Sequence, residues 1–179
     1  MKKTLIASLF AASMTVMAGS AIAQEVDTGT INFTGEITNS ACSLGGGQLG
    51  TNMTIELGQI ASTAFTAAGD RGPMSEFTIA LIGCDTSVAS SVSLGFAPGA
   101  GSVVNTRLLS LENAGGAQGV AIGIVDAQDA DVVIGGTPVT YGLQSGDNNL
   151  RFKAFYEATD ATVTAGAANG IAIFTLTYA

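Results

Sequence analysis

Apolar residues recur at every second position along much of this 179-residue chain, and this alternation constrains the fold more than any other feature. Successive side chains of an extended strand point to opposite faces of a sheet, so a period of two predicts strands with one buried face. Alternating runs, or runs rich in β-branched and aromatic residues, occupy 53–57, 77–81, 92–96, 120–125, 132–134, 151–156 and 171–178. We therefore expect seven or eight short strands.

Turn-forming residues separate these runs and define the fold class. The chain has 24 glycines, and the glycine-rich or polar breaks include 115–116, 135–136 and 146–149. No window of a dozen residues has helical spacing, although 60–68 has room for a helical turn or two between Gly58 and Gly69. Short strands joined by such connections predict an all-β sandwich. The length favours one domain.

The first residues have the pattern of a secretory signal peptide. Lys2 and Lys3 precede an apolar run from Leu5 to Met17, and a small-x-small motif ends at Ala23. The run is shorter than the roughly 20 residues that span a bilayer as a helix. We expect cleavage after Ala23, export, and no membrane insertion.

The chain has two cysteines, Cys42 and Cys84. Export implies an oxidising compartment, where a single pair is expected to form a disulfide. The alternative is a pair of buried free thiols.

Composition excludes several function classes. The chain has no histidine, which removes Ser-His-Asp and Cys-His catalysis together with the commonest metal ligand. Six basic against 14 acidic residues give a net charge of −8, and loss of residues 1–23 makes it more negative still. Such a charge opposes binding to nucleic acid or to an anionic membrane. We expect no enzyme activity, no cofactor and no nucleic-acid partner.

Three short motifs have simpler readings. Gly45–Gly50 matches a dinucleotide fingerprint by letter, but the alternating run after it predicts a strand rather than the required helix, so a flexible loop is favoured. Asp27-Thr28-Gly29 copies the motif of aspartic proteases, which need two such carboxylates, and only one copy is present. Asp126, Asp129 and Asp131 lack the other ligands of a calcium loop and predict an acidic turn.

The two ends of the mature chain carry distinctive segments. The N-terminal segment Gln24–Cys42 reads QEVDTGTINFTGEITNSAC, and Asp85-Thr86 directly follows Cys84. Near the C-terminus are the segment AGAAN at 165–169 and the penultimate Tyr178. Together these segments resemble the chaperone-usher pilins, in particular the major subunits of type 1 fimbriae, and Gln24–Cys42 is similar to the extension and first strand of those subunits.

This resemblance implies an incomplete immunoglobulin-like sandwich that lacks its final strand. A strand from a periplasmic pilus chaperone would fill the gap first, and the N-terminal extension of the next subunit would replace it at an outer-membrane usher, a form of β-strand addition. The implied product is a homopolymeric fimbria on the cell surface that supports adhesion. The implied divisions are a signal peptide at 1–23, a donor-strand extension at 24–35 and a pilin domain at 36–179.

The resemblance also assigns site residues. In an extended N-terminal segment, Gly29, Ile31 and Phe33 share one face and would form the donor strand, with Asp27 on the same face. Gly166, the fourteenth residue from the C-terminus, and Tyr178 match the chaperone-recognition motif of the family. The groove strand would present one alternating face, opposite Ile171 and Ile173, made of Ala172, Phe174, Leu176 and Tyr178.

Other functions remain open at this stage. One is a minor fimbrial adaptor or a small secreted carbohydrate-binding β-sandwich, and another is a secreted acid hydrolase that uses Asp27. A simpler interpretation of the termini is a loose N-terminal segment and an ordinary edge strand. Homopolymer formation distinguishes a major subunit from an adaptor.

Overall fold

The computed structural model describes residues 29–33, 35, 37, 39–112 and 115–179. Contacts divide the chain into two units, Met1–Glu36 and Ile37–Ala179. In the first unit, the described residues form no helix or strand. The predicted signal peptide at 1–23 and Asp27 lie outside the described residues.

The described part of the second unit is built from strands. It contains two 3-10 turns, Gly47–Leu49 and Ser62–Ala64. Its ten strands are β1 Ser43–Leu44, β2 Ser75–Cys84, β3 Ser91–Pro98, β4 Val103–Val104, β5 Leu108–Leu109, β6 Val120–Asp126, β7 Asp131–Val132, β8 Val139–Gly142, β9 Gly146–Ala158 and β10 Ala172–Tyr178. The predicted all-β class is confirmed.

The strands form two antiparallel sheets. The seven-stranded sheet has the order β1-β2-β9-β6-β5-β4, with β7 also paired to β6. The second sheet has the order β10-β3-β8. Inward side chains of both sheets meet in one core, so the arrangement is the predicted sandwich.

The core confirms the predicted buried faces of β2 and β3. Ile79 and Leu81 are fully buried on β2, and Val92, Leu94 and Phe96 are buried on β3. Phe152 of β9 links the two sheets, because its ring centroid lies 5.4 Å from that of Phe96 on β3. Within its own sheet, Phe152 also stacks on Phe77 of β2 at a centroid distance of 5.5 Å. Such aromatic pairs add to the free energy gained from burial alone.

Two predictions about strand positions are wrong. Residues 53–57 belong to no strand. Residues 146–149, which the sequence predicts as a turn, begin the 13-residue strand β9. Here tertiary context overrides weak β propensity: Asn148 and Asn149 pair with Leu81 and Ala80, and the Asn148 amide donates to the Gln144 carbonyl.

Cys42 and Cys84 form the predicted disulfide. It closes a loop of 42 residues, for which the chain-entropy estimate gives a stabilisation of about 4 kcal/mol. The bond fastens the start of the domain to the end of β2, where the Asp85 amide also donates to the Ala41 carbonyl at 2.9 Å.

The simpler readings of two motifs are confirmed. Gly45–Gly50 forms a loop with one 3-10 turn, and no helix follows it. In the acidic turn, Asp126 accepts hydrogen bonds from the Gln128 and Ala130 amides. Asp129 and Asp131 are paired with Lys153 and Arg71.

Candidate functional site

The outer edge of β10 is the candidate site. β10 pairs along its whole length with β3, from Ala172 opposite Pro98 to Tyr178 opposite Val92. Among the described residues, no strand pairs with its other edge. The three-stranded sheet therefore ends at an open edge seven residues long.

The hydrogen-bond pattern shows which backbone groups point outward. Ala179 exchanges two hydrogen bonds with Ser91, so it belongs to a hydrogen-bonded pair with β3. Hydrogen-bonded and non-hydrogen-bonded pairs alternate along an antiparallel ladder. Ile173, Thr175 and Thr177 therefore face β3 as Ala179 does, and the residues that alternate with them direct their N–H and C=O groups away from β3. These residues are Ala172, Phe174, Leu176 and Tyr178, which are the four that the resemblance assigns to the groove strand.

The side chains of three of these residues lie over the core without being fully covered. Phe174, Leu176 and Tyr178 pack against the core cluster but stay half-buried, whereas their partners on β3 are at most 5% exposed. Phe174 reaches the aromatic core through Phe96, at a centroid distance of 6.5 Å. Burial raises the pKa of the Tyr178 phenol. An apolar surface is thus left open beside an unpaired strand edge.

The opposite face of β10 points to solvent. Ile171 and Ile173 are 49% and 56% exposed, and Thr175 and Thr177 are exposed as well. Ala172 is also exposed, so the inward face is apolar from Phe174 onward.

The segment 53–58 also lies over this core but belongs to no strand, although its sequence predicts an ordinary strand. Along 53–58, half-buried and exposed residues alternate, and Met53 and Leu57 pack against the core cluster. The hydrogen bonds of this segment are local or involve side chains, such as that from the Ser75 hydroxyl to the Glu56 carbonyl at 2.7 Å. The alternation of its sequence signals the buried face but not the missing ladder.

Gly166 lies outside β10, in the loop that precedes it. A Cβ at this position would collide with the backbone of Gly116 and Ala117. The loop is held there by a hydrogen bond from the Ala117 amide to the Ala167 carbonyl at 2.9 Å, and by one from the Tyr156 hydroxyl to the Ala168 carbonyl at 2.6 Å. In this structure Gly166 permits close packing of the loop.

The predicted donor-strand residues are exposed. Ile31 and Phe33 have 77% and 91% of their surface open to solvent. A Cβ on Gly29 would meet nothing within 4 Å. Two exposed apolar side chains with one residue between them match the side-chain spacing of one strand face.

Two features that would indicate another kind of function, a metal cluster and a membrane-spanning helix, are absent from the described residues. No group of three or more His, Cys, Asp or Glu residues there lies close enough to hold a metal ion. No helix in that part of the chain is long and apolar enough to cross a membrane. The open edge instead offers hydrogen-bonding groups beside apolar side chains, which suits the addition of a strand.

Comparisons with known proteins agree with this geometry. Residues 31–179 match the family described as "Fimbrial protein". The chain is 37% identical to the probable major fimbrial subunit LpfA of Escherichia coli O157:H7, over 99% of this chain and 97% of that protein. It is 35% identical to the type-1 fimbrial protein A chain of Escherichia coli K12, over 98% of both.

Solved structures give the same result. The P pilus rod subunit PapA is 28% identical and superposes with a TM-score of 0.63, covering 78% of this chain and all of that one. A subunit from a structure of a chaperone-usher pilus, described in terms of rod uncoiling, is 28% identical with a TM-score of 0.70, covering 86% of this chain and 96% of that one. The resemblance inferred from the two ends of the sequence is confirmed, and the sandwich is of the incomplete immunoglobulin-like type. The chain belongs to the fimbrial protein family and is a structural subunit of a surface pilus.

Proposed function

We propose that this chain is the repeating subunit of a fimbria and polymerises by strand exchange. The extension 24–35 of one copy pairs with the open edge of β10 in the next, with Ile31 and Phe33 directed toward its core. The observation that carries the proposal is the unpaired edge of β10 beside half-buried Phe174, Leu176 and Tyr178.

The energetics favour a durable joint. Burial of Ile31 and Phe33 contributes roughly 1.5 to 3 kcal/mol each. The four outward-pointing residues of β10 supply about eight backbone groups, and each hydrogen bond adds about 1 kcal/mol. Gly29 places no side chain at its position in the joint, which lets the donor backbone approach closely.

The same edge creates a need for protection before assembly. An unpaired edge beside apolar surface is prone to aggregation. We propose that a periplasmic chaperone covers it after the signal peptide at 1–23 directs export, and that an outer-membrane usher exchanges the chaperone strand for the extension of the next subunit. The domain that folds around this edge is 36–179.

The polymer is proposed to coil into a rod, since the pilus structures similar to this chain include rods. In this role the chain supports cell adhesion as a structural component rather than as a catalyst. A minor adaptor is the alternative, but both named relatives above are described as a major subunit or as the type-1 A chain.

Self-assembly of the purified protein tests this proposal. Mature protein released from denaturant should form long homopolymers, visible by electron microscopy and as a ladder of bands that persists in detergent until the sample is boiled. In a repeating subunit, the extension of one copy fits the groove of another copy of the same chain, whereas the extension of an adaptor fits the groove of a different subunit. Protein that stays monomeric at high concentration, or that stops at dimers, would contradict the proposal and favour the adaptor.

A further inference from the structure

We propose that Arg151 binds a carboxylate of another copy of this chain where copies meet side by side in the coiled rod. This inference rests on the proposed function. It concerns contacts between turns of the rod, which are separate from the donor-strand joint.

All four cationic side chains of the described residues lie on one face of the molecule. Leu150 and Phe152 of β9 point into the core, so Arg151 and Lys153 point out from the seven-stranded sheet. Arg71 and Arg107 reach the same face, where both bind Glu157. The outer face of this sheet therefore holds all the basic side chains of the described residues.

Three of these cations are paired within the molecule. Arg107 lies 2.6 Å from the buried Glu157 carboxylate, and Lys153 lies 2.7 Å from Asp129. Arg71 binds Asp131 at 2.8 Å and also covers the Phe155 ring. Their charge is thus largely cancelled locally.

Arg151 differs from the other three. It is exposed, and among the described residues no carboxylate lies within 4.0 Å of its guanidinium. Its partner across the ladder on β2 is Thr78, which is neutral, and Glu76 stands opposite Lys153 instead. Arg151 therefore presents, among the described residues, an unpaired positive charge on the outer face of the sheet.

The overall charge makes such a group important for packing. The chain has 14 acidic and six basic side chains and a net charge of −8. Copies held side by side in a rod repel one another unless a cation of one faces an anion of the next. Three exposed carboxylates, Glu56, Glu76 and Glu112, have no side-chain hydrogen bond or ion pair in the described part of the chain and offer such anions.

Two variants with the same net charge test the proposal. Arg151→Gln removes the cation, and Gln128→Glu adds one negative charge at an exposed turn. In filaments from cells that assemble each variant, R151Q should keep the detergent-resistant ladder but lose most of the coiled length seen by electron microscopy. R151K and Q128E should stay coiled.

The outcomes separate this inference from the proposed function. Absence of a ladder from the unaltered protein would overturn the proposed function. A normal ladder with R151Q rods as tightly coiled as unaltered rods, or unaltered filaments that never coil, would overturn the role of Arg151. Arg151→Glu should also lose the coil, and a second change that moves the positive charge to the partner, Glu56→Arg, Glu76→Arg or Glu112→Arg, should restore it. Failure of all three double variants to coil would contradict the role of Arg151.

Discussion

Deletion of residues 24–35 should abolish filaments, while the remaining domain should still accumulate with the chaperone that we propose. The reason is that the deletion removes both exposed apolar side chains and the backbone that we propose to pair with β10, and leaves the two-sheet domain intact. Electron microscopy of cells and detergent gels of periplasmic extracts measure the two effects. Filaments in normal number from the deleted chain would contradict the role of the extension.

A matched pair of substitutions refines this prediction. Ile31→Asp with Phe33→Asp places two charges on the face that we propose enters the core of the next subunit, and should reduce filaments nearly to the level of the deletion. Thr30→Asp with Asn32→Asp adds the same charge on the opposite face and should preserve them. Equal loss of filaments in both pairs would show that added charge alone is responsible, and not its position on the face that carries Ile31 and Phe33.

Phe174→Asp has the second-largest expected effect, a near-complete loss of the subunit from the periplasm. Phe174 is half-buried against Phe96 on the open edge of β10. Replacement removes apolar contact and places a charge on the surface that we propose receives the incoming strand, at a cost of about 3 kcal/mol or more. Immunoblots of periplasmic extracts and co-purification with the chaperone measure the loss.

The neighbouring residue provides the control for this substitution. Thr175 is exposed on the outward face of the same strand, so Thr175→Asp introduces the same charge without entering the groove. It should leave periplasmic levels and chaperone binding close to normal. Normal accumulation of the Phe174 variant would contradict the assignment of β10 as the receiving strand.

Much of the sandwich is predictable from local pattern. Alternation at Ile79, Leu81, Val92 and Leu94 gives the correct buried faces, because a one-residue slip would expose every apolar side chain of a strand. The predicted disulfide follows from composition and compartment alone. The 53–57 segment fails as a strand prediction, because alternation reports which side chains are buried and not whether the backbone has a partner.

The candidate site is predictable in part. Alternation along 172–178 identifies the inward face, and the resemblance assigns that face to a groove. Among the described residues, β10 pairs with β3 on one edge and with no strand on the other. This arrangement depends on long-range pairing, which no local pattern encodes. The sequence also does not show that Arg151 is the unpaired cation among the described residues. The other basic side chains are paired with carboxylates far away in the chain, such as Arg71 with Glu157, 86 residues apart.

The most direct test of the missing strand is amide hydrogen exchange in the domain 36–179, with and without a synthetic peptide of residues 24–35. The amides of Ile173, Thr175 and Thr177 should be protected in both states, since they face β3. The account predicts that the amides of Phe174, Leu176 and Tyr178 exchange rapidly without peptide and become protected with it, together with a large rise in melting temperature. Protection of both sets without peptide, and no change on adding it, would contradict the account.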